Sequence, residues 1–172
     1  MPSLTRSSVL KTGLAGVFLS LLAACAGPSS IQLGTPVQQV LTQQGQATLD
    51  YPRPGGGQRF IWSGQPMGQF TWITDTDAQG LVIDNFQALT SERFTQLDHG
   101  EWDSNRVMFE FGPPAEISRV GLRGEHIVWS YRFREQGVWN SLMHVHFDHQ
   151  GKLTKYYPGP DPLWDPRERL GL

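Results

Sequence analysis

Residues 129–157 read WSYRFREQGVWNSLMHVHFDHQGKLTKYY, and the spacing of apolar residues in this stretch decides the fold. Trp129, Tyr131 and Phe133 alternate with Ser130, Arg132 and Arg134, the period-two pattern of a strand with one buried face. After a turn at Glu135-Gln136-Gly137, Met143, Val145 and Phe147 alternate with His144, His146 and Asp148. His149-Gln150-Gly151 turns the chain again, and Lys152 to Tyr157 completes a three-strand meander. Upstream, Asp103 is placed to cap a helix, with Trp102 before it able to pack onto Val107. Val107, Met108 and Phe111 form its apolar stripe, and Gly112-Pro113-Pro114 ends it. A helix of about two to three turns does not hold alone in water, so it must pack on the sheet.

The same order of signals occurs earlier in the chain. Gly34-x5-Val40-Leu41-x3-Gly45 lines up with Gly100-x6-Val107-Met108-x3-Gly112, and a tryptophan, Trp62 or Trp129, follows each second glycine 17 positions on. Phe60-Ile61-Trp62-Ser63 matches Ile127-Val128-Trp129-Ser130, and Asp77-Ala78-Gln79-Gly80 matches Asp148-His149-Gln150-Gly151. In this first copy Thr35 is the expected N-cap, Pro36 the first helical residue, Val37, Val40 and Leu41 the buried face, and Gly45 the stop. Its strands are expected at Phe60–Ser63, Gln69–Thr74 and Leu81–Phe86. The polar stretch Gln87–Leu97 reads as a linker or short helix, and a Pro-rich tail from Pro158 carries Leu163 and Trp164 as docking residues. The expected class is α+β: two tandem helix-plus-antiparallel-meander units, residues 31–90 and 97–160, with the helices on one face of the sheet and a tail over 161–172.

Composition narrows the function. The chain has 172 residues, only 17% of them charged, with 19 glycines and 12 prolines, which favours short elements and many turns over coiled coil or disorder. Its net charge of −2 speaks against nucleic-acid binding, which needs clustered Lys and Arg. The N-terminus carries Arg6 and Lys11, then the uncharged stretch TGLAGVFLSLLAA from Thr12 to Ala24, then Cys25. A basic segment, a short apolar segment and small residues before a cut site describe an export signal over 1–24, too short to span a membrane. Removing it leaves 12 basic and 16 acidic residues.

Leu22-Ala23-Ala24-Cys25 resembles the lipobox of bacterial lipoproteins. The resemblance implies cleavage before Cys25, acylation of that residue and a short tether over 25–30; Ala26, where an Asp would retain the protein inside, implies the outer membrane, facing the periplasm. The second copy, Gly100-x6-Val107…Phe111-Gly112-Pro113-Pro114…Trp129-x-Tyr131-x-Phe133…Phe147-Asp148-x-x-Gly151, resembles the SmpA/OmlA (BamE-like) family of outer-membrane lipoproteins. That family implies an accessory role in β-barrel outer-membrane protein assembly and envelope integrity. It usually carries one such unit, and the tandem arrangement is similar instead to the β-lactamase-inhibitor-protein fold, a protein-binding scaffold. Both resemblances imply a protein partner.

The remaining candidates are weaker. Alternation puts His144 and His146 on one strand face, with Asp148 the best third donor for Zn²⁺ or Cu²⁺ and a solvated sheet face the simpler reading. Arg132 and Arg134 are expected on that face, where the four residues would form a cationic patch for lipid head groups or an acidic partner. Trp139, beside the hairpin loop, is a candidate interface anchor. Gly55-Gly56-Gly57 lacks the Gly-Lys-Ser/Thr of a phosphate loop, and no nucleophile elbow or His-Glu-x-x-His occurs. The reading is a non-enzymatic binding module without a cofactor, a periplasmic inhibitor-like scaffold and a metal-binding lipoprotein being the alternatives.

Overall fold

A computed structural model describes residues 27–122, 124 and 126–164. The architecture is α+β, with two antiparallel four-stranded sheets and three short helices. Helix α1 (Val37–Gln44) precedes β1 (Leu49–Pro52), β2 (Gln58–Ser63), β3 (Thr71–Thr76) and β4 (Val82–Gln87). Helix α2 (Ser91–Phe94) continues into a tight turn at Thr95–Asp98. Helix α3 (Ser104–Phe111) then leads to β5 (Glu116–Val120), β6 (His126–Glu135), β7 (Trp139–Phe147) and β8 (Leu153–Pro160). Each sheet is a simple meander, β1-β2-β3-β4 and β5-β6-β7-β8.

Each meander holds a strand that the sequence reading lacked, since β1 and β5 precede the expected three. Helix α1 begins at Val37 with Pro36 in the cap position and no side-chain cap, so Thr35 does not serve as N-cap. Thr35 instead accepts the Val82 N–H through its carbonyl. Asp103 does cap α3, its carboxylate accepting the Arg106 N–H at 2.9 Å. Trp102 and Val107 are buried in one cluster, whereas Met108 is only half-buried. The stretch over 87–97 holds the short helix that is the alternative to a linker, α2 at Ser91–Phe94, but it is not a polar surface segment: Ala88, Leu89, Phe94 and Leu97 are buried. Strand β8 runs through Pro160, so Pro158–Pro160 belong to the sheet and the chain leaves it at Asp161.

The core explains the layering. Tyr131, Phe133, Met143, Val145 and Phe147 on the second sheet close over Val107 and Phe111 of α3 and over Leu89, Phe94 and Leu97. Phe94 stacks on Phe111 at 4.8 Å and meets Phe133 edge-on at 5.1 Å, pairs worth about 0.5–1.5 kcal/mol each beyond their burial. On the first sheet, Phe60, Trp62 and Val82 pack with Val40 of α1. Its opposite face, Ile61, Ile73 and Ala88, forms a third cluster. That face looks toward α3: Tyr51 meets Phe109 at 5.7 Å, and a Cβ on Gly112 would press on Ile61 and Thr71. The first sheet thus has helical residues on both faces, not on one as expected, and α3 is shared between the sheets.

Several contacts recur in the two halves. Asp77 Oδ1 accepts the N–H groups of Gln79 and Leu81, and Asp148 Oδ1 those of Gln150 and Lys152. Val37 N–H donates to Gly80 O and Ser104 N–H to Gly151 O, both at 2.9 Å. Sheet register places the aromatics differently from the sequence alignment. Leu49 opens β1 opposite Ile61, the residue before Trp62, while Glu116 opens β5 opposite Ser130, the residue before Tyr131. Trp62 and Tyr131 therefore hold matching places. Trp62 Nε1 donates to Gly45 O at 3.4 Å, and the Tyr131 hydroxyl donates to Gly112 O at 3.0 Å.

Candidate functional site: the outer face of the second sheet

Helices α2 and α3 cover the Tyr131 face of the second sheet, so the alternate residues of its strands build the other face. Pairing sets Ser130 opposite His144, Val128 opposite His146, Arg132 opposite Leu142 and Arg134 opposite Asn140. On β8, Tyr157 lies opposite His144 and Lys155 opposite His146. Arg132, Arg134, His144 and His146 thus share one face, as the alternation predicts.

Their chemistry differs from the expected cationic patch. Ser130 Oγ and His144 Nδ1 lie 2.9 Å apart, and His146 Nε2 is 3.1 Å from the Tyr157 hydroxyl. Burial pushes the His144 imidazole below its ordinary range, opposed by the Glu116 charge. Burial also lowers His146, with Lys155, His144 and His126 adding in the same direction. Both rings are therefore held neutral at neutral pH. Arg132 Nε sits 3.1 Å from the fully buried Asp161 carboxylate, which offsets its charge. Arg134 Nη1 donates to Asn140 Oδ1 at 2.8 Å, an oxygen that also accepts from Gln69 at 2.9 Å.

Trp139 does not join this face. It pairs with Glu135, on the opposite alternation, and stands 67% exposed at the hairpin end beside Val138. Asp148 is committed to its turn, where the backbone N–H of Lys152 leads in holding its carboxyl low. Among the described residues, no group of three His, Cys, Asp or Glu is arranged to hold a metal ion. Ser130 is buried, so its contact with His144 satisfies two polar groups and leaves no accessible nucleophile. A groove of about 700 Å³ lies elsewhere, where Asp98, Glu101, Lys152 and Tyr156 surround Trp102. Burial and the Asp98 hydrogen bond push the Tyr156 hydroxyl up to about 12.

The chain matches no protein-family model, no curated protein and no solved structure. Cys25, the expected acylation site, lies outside the described residues.

Two features of the site escaped the sequence. Gln65, in the β2–β3 loop, accepts the Arg132 N–H at 3.3 Å and donates to the Arg132 carbonyl at 2.8 Å. Asp161 follows a Gly-Pro pair that reads as loop, and nothing nearby marks it as the buried partner of Arg132. The loop also carries Met67 and Phe70, both exposed, and its Gln69 reaches Asn140 at the start of β7. The result is a polar sheet face on which Arg132 is paired with Asp161, both imidazoles are neutral and the Arg134 guanidinium is held by an amide.

Proposed function

We propose that this chain is an outer-membrane lipoprotein, anchored through Cys25, that acts as a non-enzymatic protein-interaction module in β-barrel outer-membrane protein assembly or envelope integrity. The observation that carries it is Leu22-Ala23-Ala24-Cys25 at the end of a basic-then-apolar segment. Several acyl chains together give firm anchoring where one would be marginal. The two halves are read as tandem copies of one helix-plus-meander unit, supported by the recurring Asp turns and by the matched bonds of Trp62 and Tyr131 to Gly45 and Gly112. Resemblance to the BamE-like family rests on the motif residues of the second half alone. Trp139, Val138, Met67 and Phe70 supply apolar anchors, and Arg132 and Arg134 a polar border.

Metabolic labelling with a palmitate analogue, comparing the wild type with Cys25→Ala, tests the anchor. Label on the wild type alone supports it, and an unlabelled wild type refutes it. A mild-detergent pull-down from the envelope tests the partner. Recovery of β-barrel assembly components supports the assembly role. Recovery of one different partner favours a binding or inhibitor scaffold, the reading to which the pairing of two meander sheets lends support.

A further inference from the structure

Between Lys11 and Asp50 the sequence contains no Asp, Glu, Lys, Arg or His. From Gly27 onward this charge-free stretch forms one flank of the first sheet. The tight turn Pro28–Ser30 lies against β4, where Asn85 Nδ2 donates to the Pro28 carbonyl at 3.0 Å. The chain then follows the same strand: Gly34 N–H donates to Val82 O at 2.7 Å, Val82 N–H donates to Thr35 O at 3.0 Å, and Pro36 bridges Leu81. Three aliphatic residues stand exposed along this seam, Leu33 at 68%, Ile83 at 46% and Leu81 at 38%. Around them the other exposed residues of the segment and of α1 are all uncharged, with Gln32, Gln38, Gln39, Thr42 and Gln43 among them. Asp84 adjoins the seam on β4 and faces Arg93 electrostatically.

Chain length ties this seam to the anchor. Cys25 precedes Pro28 by three residues, and three residues reach at most about 11 Å. Ile83 lies two strand residues from Asn85, roughly 7 Å along β4. Both distances are short against a domain roughly 35 Å across. Acyl chains on Cys25 would therefore enter the bilayer close beside Leu33 and Ile83.

We infer that this flank is a membrane-contact surface, with Leu33, Leu81 and Ile83 seated among lipid head groups next to the acyl anchor. The inference rests on the lipoprotein reading. Aliphatic side chains gain by leaving water, and a flank whose leading segment and first helix carry no charge, with Asp84 of β4 the nearest, avoids most of the cost of dehydrating charged groups. The seam would fix how the whole molecule stands on the bilayer, which a bare anchor does not.

The test uses the acylated full chain, with Leu33→Cys or Ile83→Cys labelled by an environment-sensitive fluorophore. Cys25 is the sole native cysteine, and acylation blocks its thiol, so the label goes to the new position. Each protein is reconstituted in vesicles of phosphatidylethanolamine and phosphatidylglycerol, with and without nitroxide-labelled lipid. The expected result is blue-shifted emission that loses most of its intensity when nitroxide lipid is present. Emission that stays water-like and unquenched on a protein of acylated mass overturns the membrane-contact surface and leaves the lipoprotein reading standing. A mass showing no acyl groups overturns both.

Discussion

Arg59 is 7% exposed and makes the densest set of polar contacts in the molecule's interior. Its guanidinium binds both Asp75 carboxylate oxygens at 2.8 Å, Glu110 at 2.9 Å and the Phe109 carbonyl at 3.2 Å, and lies 4.2 Å over the Phe109 ring. Burial works to lower its pKa, and the hydrogen bonds to Asp75 with the charges of Glu110 and Asp75 more than offset this, raising it. Removing Asp75 leaves a buried cation short of its main partner, so Asp75→Ala is expected to cost about 3–5 kcal/mol in urea unfolding. Adding Arg59→Met should recover part of that loss, because both charges are then gone. Tyr131 makes a second residue-scale prediction. Burial holds its phenol well above the ordinary range, so the folded state keeps the proton more tightly than the unfolded one. The resulting stability is complete below the unfolded tyrosine value near pH ~10 and is lost as pH rises beyond it. Alkaline unfolding followed by phenolate absorbance should show this fall, and Tyr131→Phe should flatten it while costing about 1 kcal/mol at neutral pH for the lost bond to Gly112.

Among the elements, the two long helices end alike and tolerate change differently. Gly45 has φ 81° and ψ −174°, and Gly112 φ 76° and ψ −168°, a region reserved for glycine. A Cβ at Gly45 meets open space, whereas at Gly112 it meets Thr71 at 2.9 Å and Ile61 at 3.0 Å. Gly45→Ala is therefore expected to cost about 1–3 kcal/mol from the backbone alone, and Gly112→Ala clearly more, as thermal melts of the two variants would show. Both glycines were legible as stops, as were the Asp103 cap and the alternation of β6 and β7. Strand β1 was not: it contains Asp50 and Pro52, and its residues alternate only between half-buried and exposed. Strand β5 is an edge with Ile117 and Val120 exposed, so no hydrophobic period marks it. The Trp62–Trp129 alignment slipped by two residues because such a shift keeps every side chain on its face, and periodicity cannot detect it. The ion cluster was invisible for another reason. Asp75 faces Arg59 through strand pairing and Glu110 reaches it from a distant helix, and neither spacing has a sequence signature.

As a whole molecule, the protein places α3 between its two sheets. Val107 and Phe111 serve the second sheet while Phe109, Glu110 and Gly112 meet the first. Neither half can bury its surfaces alone, so unfolding should be one cooperative transition by circular dichroism and tryptophan fluorescence together. Two separated transitions would contradict the shared helix. A fragment of residues 97–164 should remain unfolded, which its amide proton dispersion would show. The outer face of the second sheet was partly legible at this scale, since alternation brought Arg132, Arg134, His144 and His146 together. Its charge was not, because Asp161 and the burial of the imidazoles belong to the assembled fold.

Gln65 carries a consequence for how copies of this protein coexist at high concentration. Strand β5 is shorter than β6, so beyond Ser130 the peptide groups of β6 on that side lack a strand partner. The Gln65 amide, using its oxygen and one N–H, takes the place of a peptide unit and occupies both the N–H and the carbonyl of Arg132. A single side chain thereby closes a segment of sheet that another chain could otherwise extend. The first half of the molecule thus covers a stretch of otherwise open edge on the second sheet.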